Sequence, residues 1–252
     1  MNKTGHYIYS VIETGEERTF DAVPIGGAEN GNIYTICHCG LAAVVSDSVI
    51  KEYPITRENM IAHQKVNEVV MKEYVVLPVK FCTIAEDRDL IVKKLLIEKK
   101  DELASKLKYL SDKQEFGLKV FWKEMPLVFA AIVEENPSIK RLKLKLEKAD
   151  PRRARDGFIE IGEMVKQALD DKKEVVGGLV YERLAKLAVE AKKNQLYGDK
   201  MPLNAVFLVE KSKEEQLDRE INKLAEENAG TMDWKYVGPT PAANFVEIVV
   251  TW

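Results

Sequence analysis

The stretch "VVLPVKFCTI", residues 75–84, decides how the first half of the chain is read. Val75, Val76, Leu77 and Val79 are strand formers, yet Pro78 sits among them, and proline cannot donate to a sheet ladder. The run is therefore predicted as a strand at a sheet edge or at a bulge. Lys80, two places on, would blunt an exposed edge. Cys82 then poses a choice between a reactive thiol and the small hydrophobe that a buried cysteine usually is.

Outward from this stretch the elements follow in order. "HYIYSVI" (6–12) reads as the first strand, and the Gly/Asn-rich "GGAENGN" (26–32) separates it from "IYTICHCGLAAVVSD" (33–47), an antiparallel hairpin with Gly40 near its turn. After Pro54, Thr56 caps a helix predicted to reach about Tyr74, with Ala62, Val66, Val69 and Val70 on one face. Beyond the opening stretch, "AEDRD" (85–89) places acidic residues in the first turn of a long helix, where they complement its dipole. Val92, Leu96, Leu103, Leu107 and Leu110 form the stripe of that helix. "GLKVFW" (117–122) alternates Leu118, Val120 and Trp122 against Lys119 and Phe121 and is predicted to close a first domain near residue 122.

Residues 126–200 read as mostly helical, "FIEIGEMVKQALDD" (158–171) and "GGLVYERLAKLAVEAKKNQLYG" (177–198) most clearly, with Gly198 as a stop. "RLKLKLEK" (141–148) alternates like a strand but is built of helix formers, and a lone strand between helices would need a partner, so helix is preferred. "LNAVFLVE" (203–210) is a strand. Ser212 with Glu215 has the spacing of a capping box before a helix carrying Leu217, Ile221, Leu224 and Ala225 on one face. In "MDWKYVGPTPAANFVEIVVTW" (232–252), a strand to about Val237 is expected to meet a Gly-Pro turn, with "NFVEIVVT" returning as its partner. Sheets covered by amphipathic helices at both ends of the chain make the fold class α+β.

Bulk properties narrow the function. The chain has 252 residues, 46% hydrophobic and 31% charged, with a formal net charge of −3. Two domains are expected at this length, and the mild acidity lacks the electrostatic footprint of a nucleic-acid binder. The start has no signal-peptide pattern and no segment is apolar enough to span a lipid membrane, so a cytoplasmic location is expected. Three cysteines make no disulfide framework.

Each candidate for chemistry has an ordinary counterpart. Cys82 as a nucleophile needs a base, and His63 is the nearest in sequence, but no Gly-rich nucleophile turn surrounds the thiol. "CHC" (37–39) would place Cys37 and Cys39 on one face of a strand and His38 on the other, with no second pair to complete a zinc site. His6 needs no role beyond a strand start. "GGAENGN", and Gly177 with Gly178, lack phosphate-loop spacing and read as linkers. The acidic pairs Asp170/Asp171 and Glu214/Glu215 belong to helix ends or solvated faces. Tyr7, Tyr9, Tyr34, Phe81, Phe121 and Trp122 are expected to pack in cores rather than form a partner surface.

The motifs "VLPVKFCTI" (76–84) and "YVGPTPAANFV" (236–246), in this order, resemble the GvpF/GvpL family of gas-vesicle proteins. An N-terminal "YxY" strand, "LAAVVS" at 41–46 and a helix bearing a histidine, here His63, agree with that family's succession, so the resemblance covers nearly the whole chain. Cys82 stands where the family usually has glycine, and Thr240, Ala242 and Ala243 replace its usual Trp, Pro and Tyr. The resemblance implies two domains, a modified ferredoxin-like one over 1–122 and a C-terminal α+β one over 123–252 with helices packed on an antiparallel sheet. It further implies a non-enzymatic accessory or minor structural protein of the gas vesicle. Such a protein would bind the main shell protein GvpA, act beside other accessory proteins, and assist nucleation and assembly by keeping the shell protein from aggregating. No catalytic, cofactor-binding or metal residue and no cofactor is expected, and the partner surface is not located. The alternatives are a ferredoxin-like small-molecule-binding or regulatory module and, third, a cysteine-dependent enzyme.

Overall fold

Strand β1 (Thr4–Glu13) is buried along nearly its whole length, as its β-branched and aromatic residues require of a central strand. It lies between β4 (Leu41–Val49) and β5 (Leu77–Ala85), antiparallel to both, in a five-stranded sheet of order β2-β3-β4-β1-β5, where β2 is Thr19–Phe20 and β3 is Ile33–His38. A bulge between Ile8 and Ser10 shifts the register against both neighbours, so Tyr7, Tyr9 and Ile12 enter one core despite their change of parity. The computed structural model describes residues 3–27, 31–148 and 155–251, so residues 28–30 of "GGAENGN" lie outside it. Compared with the βαββαβ succession of a ferredoxin-like unit, the described part of the connection from β1 to β3 carries β2 and no helix.

The chain divides into two compact units, the first comprising Met1–Glu115, Glu210–Ser212 and Gly238–Trp252, the second Phe116–Val209 and Lys213–Val237. In the first, α1 (Arg57–Met71) starts at Thr56, whose hydroxyl accepts the Asn59 N–H at 3.2 Å. Its buried residues are His63, Val66, Asn67 and Val70, so the stripe is rotated from the predicted one and includes two polar side chains. Ala62 and Val69 are only half-buried. The predicted long helix is instead α2 (Arg88–Leu90), a π-helical segment Ile91–Ile97, and α3 (Lys100–Leu110). Asp87 caps α2 through the Leu90 N–H, and the Glu98 N–H reaches the Lys93 carbonyl at 3.0 Å, the i→i−5 bond of a π turn. That turn brings Ile91, Leu95 and Leu96 inside and leaves Val92 half-buried. The hairpin turn is as expected, with Gly40 at φ +84°, although Cys39 also enters the left-handed region, at φ +47°.

The second unit holds most of a four-stranded sheet of order β7-β8-β6-β9, with β6 Lys113–Trp122, β7 Glu190–Lys193, β8 Leu203–Glu210 and β9 Met232–Thr240, the strand ends Lys113–Glu115, Glu210 and Gly238–Thr240 being counted with the first unit. Thus "GLKVFW" has its predicted alternation but joins this sheet and not the first. Helices α4 (Met125–Glu135), α5 (Pro137–Glu147) and α6 (Arg155–Ala185) follow β6, and "RLKLKLEK" is helical. Val180 and Leu184 of α6 and Leu217, Ile221 and Leu224 of α7 (Glu214–Glu227) pack with Phe116, Leu118, Phe207 and Val209 of the sheet. Trp122, Val128, Ile132, Ile139 and Leu169 form a neighbouring cluster.

Four further expectations from sequence give way to the structure. The helix predicted to run to Gly198 ends at Ala185, because Glu190–Lys193 pair antiparallel with Leu208–Ala205 and tertiary pairing overrides helix propensity. Ser212 gives no side-chain cap to α7, since a 3-10 turn at Lys211–Lys213 puts Lys213 in the cap position. β9 does not stop at Val237 but runs through Gly238 and Pro239, whose peptide bond is cis. Gly177 and Gly178 are interior to α6 and are not linkers. No helix among the described residues is long and apolar enough to cross a membrane.

The two helix glycines separate close approach from plain helix propensity. A Cβ on Gly177 would lie 2.1 Å from the Pro202 carbonyl oxygen, whereas one on Gly178 meets nothing within 4 Å. Gly177→Ala should lower stability by about 1–3 kcal/mol through overpacking. Gly178→Ala should raise it by up to about 1 kcal/mol. Urea unfolding of the two variants checks the pair.

Candidate functional site

The segment after β9 does not form the second strand of a hairpin. Pro241 and Ala242 open a tight turn in which the Phe245 and Val246 N–H groups reach the Ala242 carbonyl at 3.1 and 2.9 Å. The turn carries Ile248 alongside β5 in a parallel bridge with Val79. Ile248 N–H donates to the Pro78 carbonyl at 3.0 Å, and Lys80 N–H donates to the Ile248 carbonyl at 2.9 Å. β5 is an edge strand, as Pro78 indicated, but around Val79 its outward backbone groups, the Pro78 carbonyl and the Lys80 N–H, are taken by the tail, and the buried Ile248 side chain sits beside it there. The missing N–H of Pro78 costs nothing, because its carbonyl makes the bond.

The two sequence motifs, more than 150 residues apart, thereby meet across a cavity of about 300 Å³. Pro78, Val79 and Phe81 form one wall, and Thr240, Pro241, Ala243 and Asn244 another. His63, Gln64 and Asn67 of α1, Glu115 of β6 and Glu247 of the tail add further polar groups. Glu115 is 4% exposed, and its carboxylate accepts the Asn244 backbone N–H at 3.0 Å and the Asn244 side-chain amide. Thr240 and Ala243 face this space where the resembled family has Trp and Tyr, while Ala242 is buried behind them. A larger groove, about 610 Å³, runs along the Ala62 and Val69 flank of α1 and contains neither motif.

A buried hydrogen-bonded chain lies under the cavity. The Cys82 backbone N–H donates to Tyr7 Oη at 3.0 Å, Tyr7 Oη is 3.0 Å from His63 Nδ1, and Asn67 Nδ2 is 3.3 Å from His63 Nε2. Asn67 Nδ2 is a donor, so Nε2 accepts and the single proton of the neutral ring sits on Nδ1, facing Tyr7. Burial pushes His63 down to about 4 and pushes the Tyr7 and Tyr9 phenols up, Tyr9 to about 12. All three are therefore neutral around pH 7. Tyr9 Oη in turn accepts the Ile25 N–H and lies 3.0 Å from Ser46 Oγ.

Cys82 is half-buried beside this chain, packed against the core that contains His63's helix, but its side chain is not hydrogen-bonded to the imidazole. Its sulfur accepts the Tyr53 N–H at 3.2 Å. Its φ is +64°, in the left-handed region that favours glycine, which gives a conformational reason for the glycine expected there in the resembled family. Asn67, Glu115 and Asn244 were missed from sequence; Asn67's only signal was its place one turn after His63 on an apolar face.

The remaining candidates lie elsewhere. Cys37 Sγ donates to the Glu16 carbonyl at 3.2 Å, while Cys39, turned out of the strand, has its sulfur 3.3 Å from His38 Nε2. His6 Nδ1 and Tyr34 Oη are 3.0 Å apart, and Tyr34 donates to Asp47 at 2.8 Å. Asp171 accepts from Gln167, and Asp170 lies 3.5 Å from Lys173, both on the exposed side of α6. Tyr7, Tyr9 and Trp122 are buried, whereas Tyr34, Phe81 and Phe121 are half-buried.

Residues 5–247 match the sequence model of the gas vesicle synthesis protein GvpL/GvpF family. The chain belongs to that family. It is 22% identical to gas vesicle protein F of Nostoc over 97% of this chain and 99% of the relative, and 28% identical to that of Streptomyces over 96% and 99%. Gas vesicle protein F1 of Halobacterium salinarum is 25% identical over 96% of this chain and 92% of the relative. The fold is that of the crystal structures of GvpF from Anabaena (TM-score 0.80, 21% identity, 97% and 99% covered) and Microcystis aeruginosa (0.74, 19%, 97% and 99%). The mixed α/β architecture is thus a GvpF fold, and the protein is a gas-vesicle-related one.

The buried chain makes stability depend on pH and on the residue at position 82. Between pH 6.5 and 4 the unfolded state carries a proton on His63 that the folded state does not, so stability falls on acidification, by about 3 kcal/mol when complete. His63→Gln should flatten urea midpoints between pH 6.5 and 5, above the carboxylate range. At Cys82, a β-branched residue meets the left-handed backbone penalty in full. Cys82→Val should therefore cost about 1–2 kcal/mol, whereas Cys82→Gly should stay within about 1 kcal/mol of the parent in thermal unfolding.

Proposed function

We propose that this protein is a non-enzymatic accessory or minor structural protein of the gas vesicle that binds the shell protein GvpA in the cytoplasm and assists nucleation and assembly. The observation that supports this reading is the exposed apolar surface on the helices of the second unit. Leu127 of α4 is 68% exposed, and Val175 and Leu179 of α6 are 62% and 67% exposed. Val175 and Leu179 are four residues apart and share a helix face. A shell subunit with a gas-facing apolar surface would aggregate before assembly, and transient cover by such a face would prevent it. Other accessory proteins of the vesicle are further partners on this reading.

The Pro78–Lys80 part of the β5 edge is a poorer candidate, because Ile248 already pairs with it. The ligand-binding alternative draws support from the cavity between the motifs, where a few polar groups converge among apolar ones. The enzyme alternative needed a Cys82–His63 hydrogen bond, and both ring nitrogens of His63 instead face Tyr7 and Asn67.

Replacing Val175 and Leu179 together by glutamate should reduce capture of purified GvpA by the full-length protein at least tenfold. Stability should change by less than about 1 kcal/mol, since both side chains are solvated. Undiminished capture, with suppression of GvpA aggregation intact, would remove this face from the proposal.

A further inference from the structure

We propose that the cavity between the two motifs is a receptor for one arginine side chain of a partner polypeptide. Asn67 is 3% exposed, lines the cavity, and its Oδ1 has no hydrogen-bond partner among the described residues. A buried carbonyl oxygen in that state is stabilised when a donor arrives. The cavity is lined by the exposed Glu247 carboxylate and by the buried Glu115, whose two oxygens already accept from Asn244, and by no lysine or arginine among the described residues. Lys80, the nearest cation in sequence on β5, is not part of the lining.

The size and walls select the ligand further. At about 300 Å³ the cavity is at the lower limit for drug-sized ligands and suits a single side chain. Val79, Pro78 and Pro241 offer apolar surface to an aliphatic stem, and the half-buried Phe81 ring, packed edge-to-face against His63, offers aromatic surface to a flat cation. A guanidinium meets all of these together, because it is planar, stacks on rings, and presents five N–H donors to carboxylate and carbonyl oxygens. Thr240 and Ala243 are small enough to leave the entrance open. Arginine capture is independent of the GvpA reading, and its test does not use GvpA.

Titration of the full-length protein with Nα-acetyl-arginine amide, followed by backbone amide resonances, tests it against the neutral isostere Nα-acetyl-citrulline amide. Saturable shifts at Asn67, Phe81 and Asn244 are expected with arginine, at least fivefold weaker with citrulline, and weaker for arginine at 1 M salt. Ala243→Tyr, at an exposed rim position, should abolish the response, and Glu247→Gln should weaken it severalfold. Equal binding of citrulline, no saturable shift at these residues, or an unaltered response in Ala243→Tyr would overturn the proposal.

Discussion

The pair of hydrogen bonds between Ile248 and the Pro78–Lys80 segment is the constraint on which the first unit's functional geometry depends. β5 is an edge strand interrupted by a proline, and an edge with free N–H and carbonyl groups invites pairing with another chain. The returning tail supplies that pairing internally. In the same step it positions Thr240, Pro241, Ala243 and Asn244 opposite Phe81, and lets Asn244 reach the buried Glu115 carboxylate. The two segments that signal the family in sequence are thus two walls of one cavity.

Beneath that cavity, polar groups are placed where an apolar core would be simpler. Tyr7 Oη receives the Cys82 N–H, the backbone donor of a residue held at positive φ, and contacts His63, which burial keeps neutral. A low-dielectric setting strengthens each satisfied bond and penalises each unsatisfied one. The chain accordingly fixes the position of α1 relative to β1 and β5 more sharply than Val66 and Val70 alone would. Beside His63, Asn67 Oδ1 lacks a partner among the described residues, and Asn67 lines the cavity.

Local patterns carried much of the fold in sequence. The hairpin at Gly40, the cap at Thr56, the alternation of Leu118, Val120 and Trp122, and the apolar face of α7 are all consequences of neighbouring residues, and all are found. What local pattern could not reveal was pairing over distance. Glu190–Lys193 reads as helix until β8 is placed beside it, and Gly177 reads as a linker until Pro202 is packed against it. The returning strand expected from Asn244 onward does not form, because β5 competes for Ile248. The site divided the same way. Pro78, Cys82 and His63 stand out by residue type, whereas Glu115 and Asn244 matter only through a contact spanning 129 positions.

On the proposed role, GvpA recognition belongs to the exposed helix face of the second unit and not to the β5 backbone that the tail pairs with. Hydrogen exchange of the full-length protein, alone and with purified GvpA, tests that claim most directly. Slow exchange at Lys80 and Ile248 is predicted in the free protein, with no change there on adding GvpA and added protection around Val175–Leu179. Fast exchange at Lys80 in the free protein, or protection gained on β5 with none on α6, would contradict it.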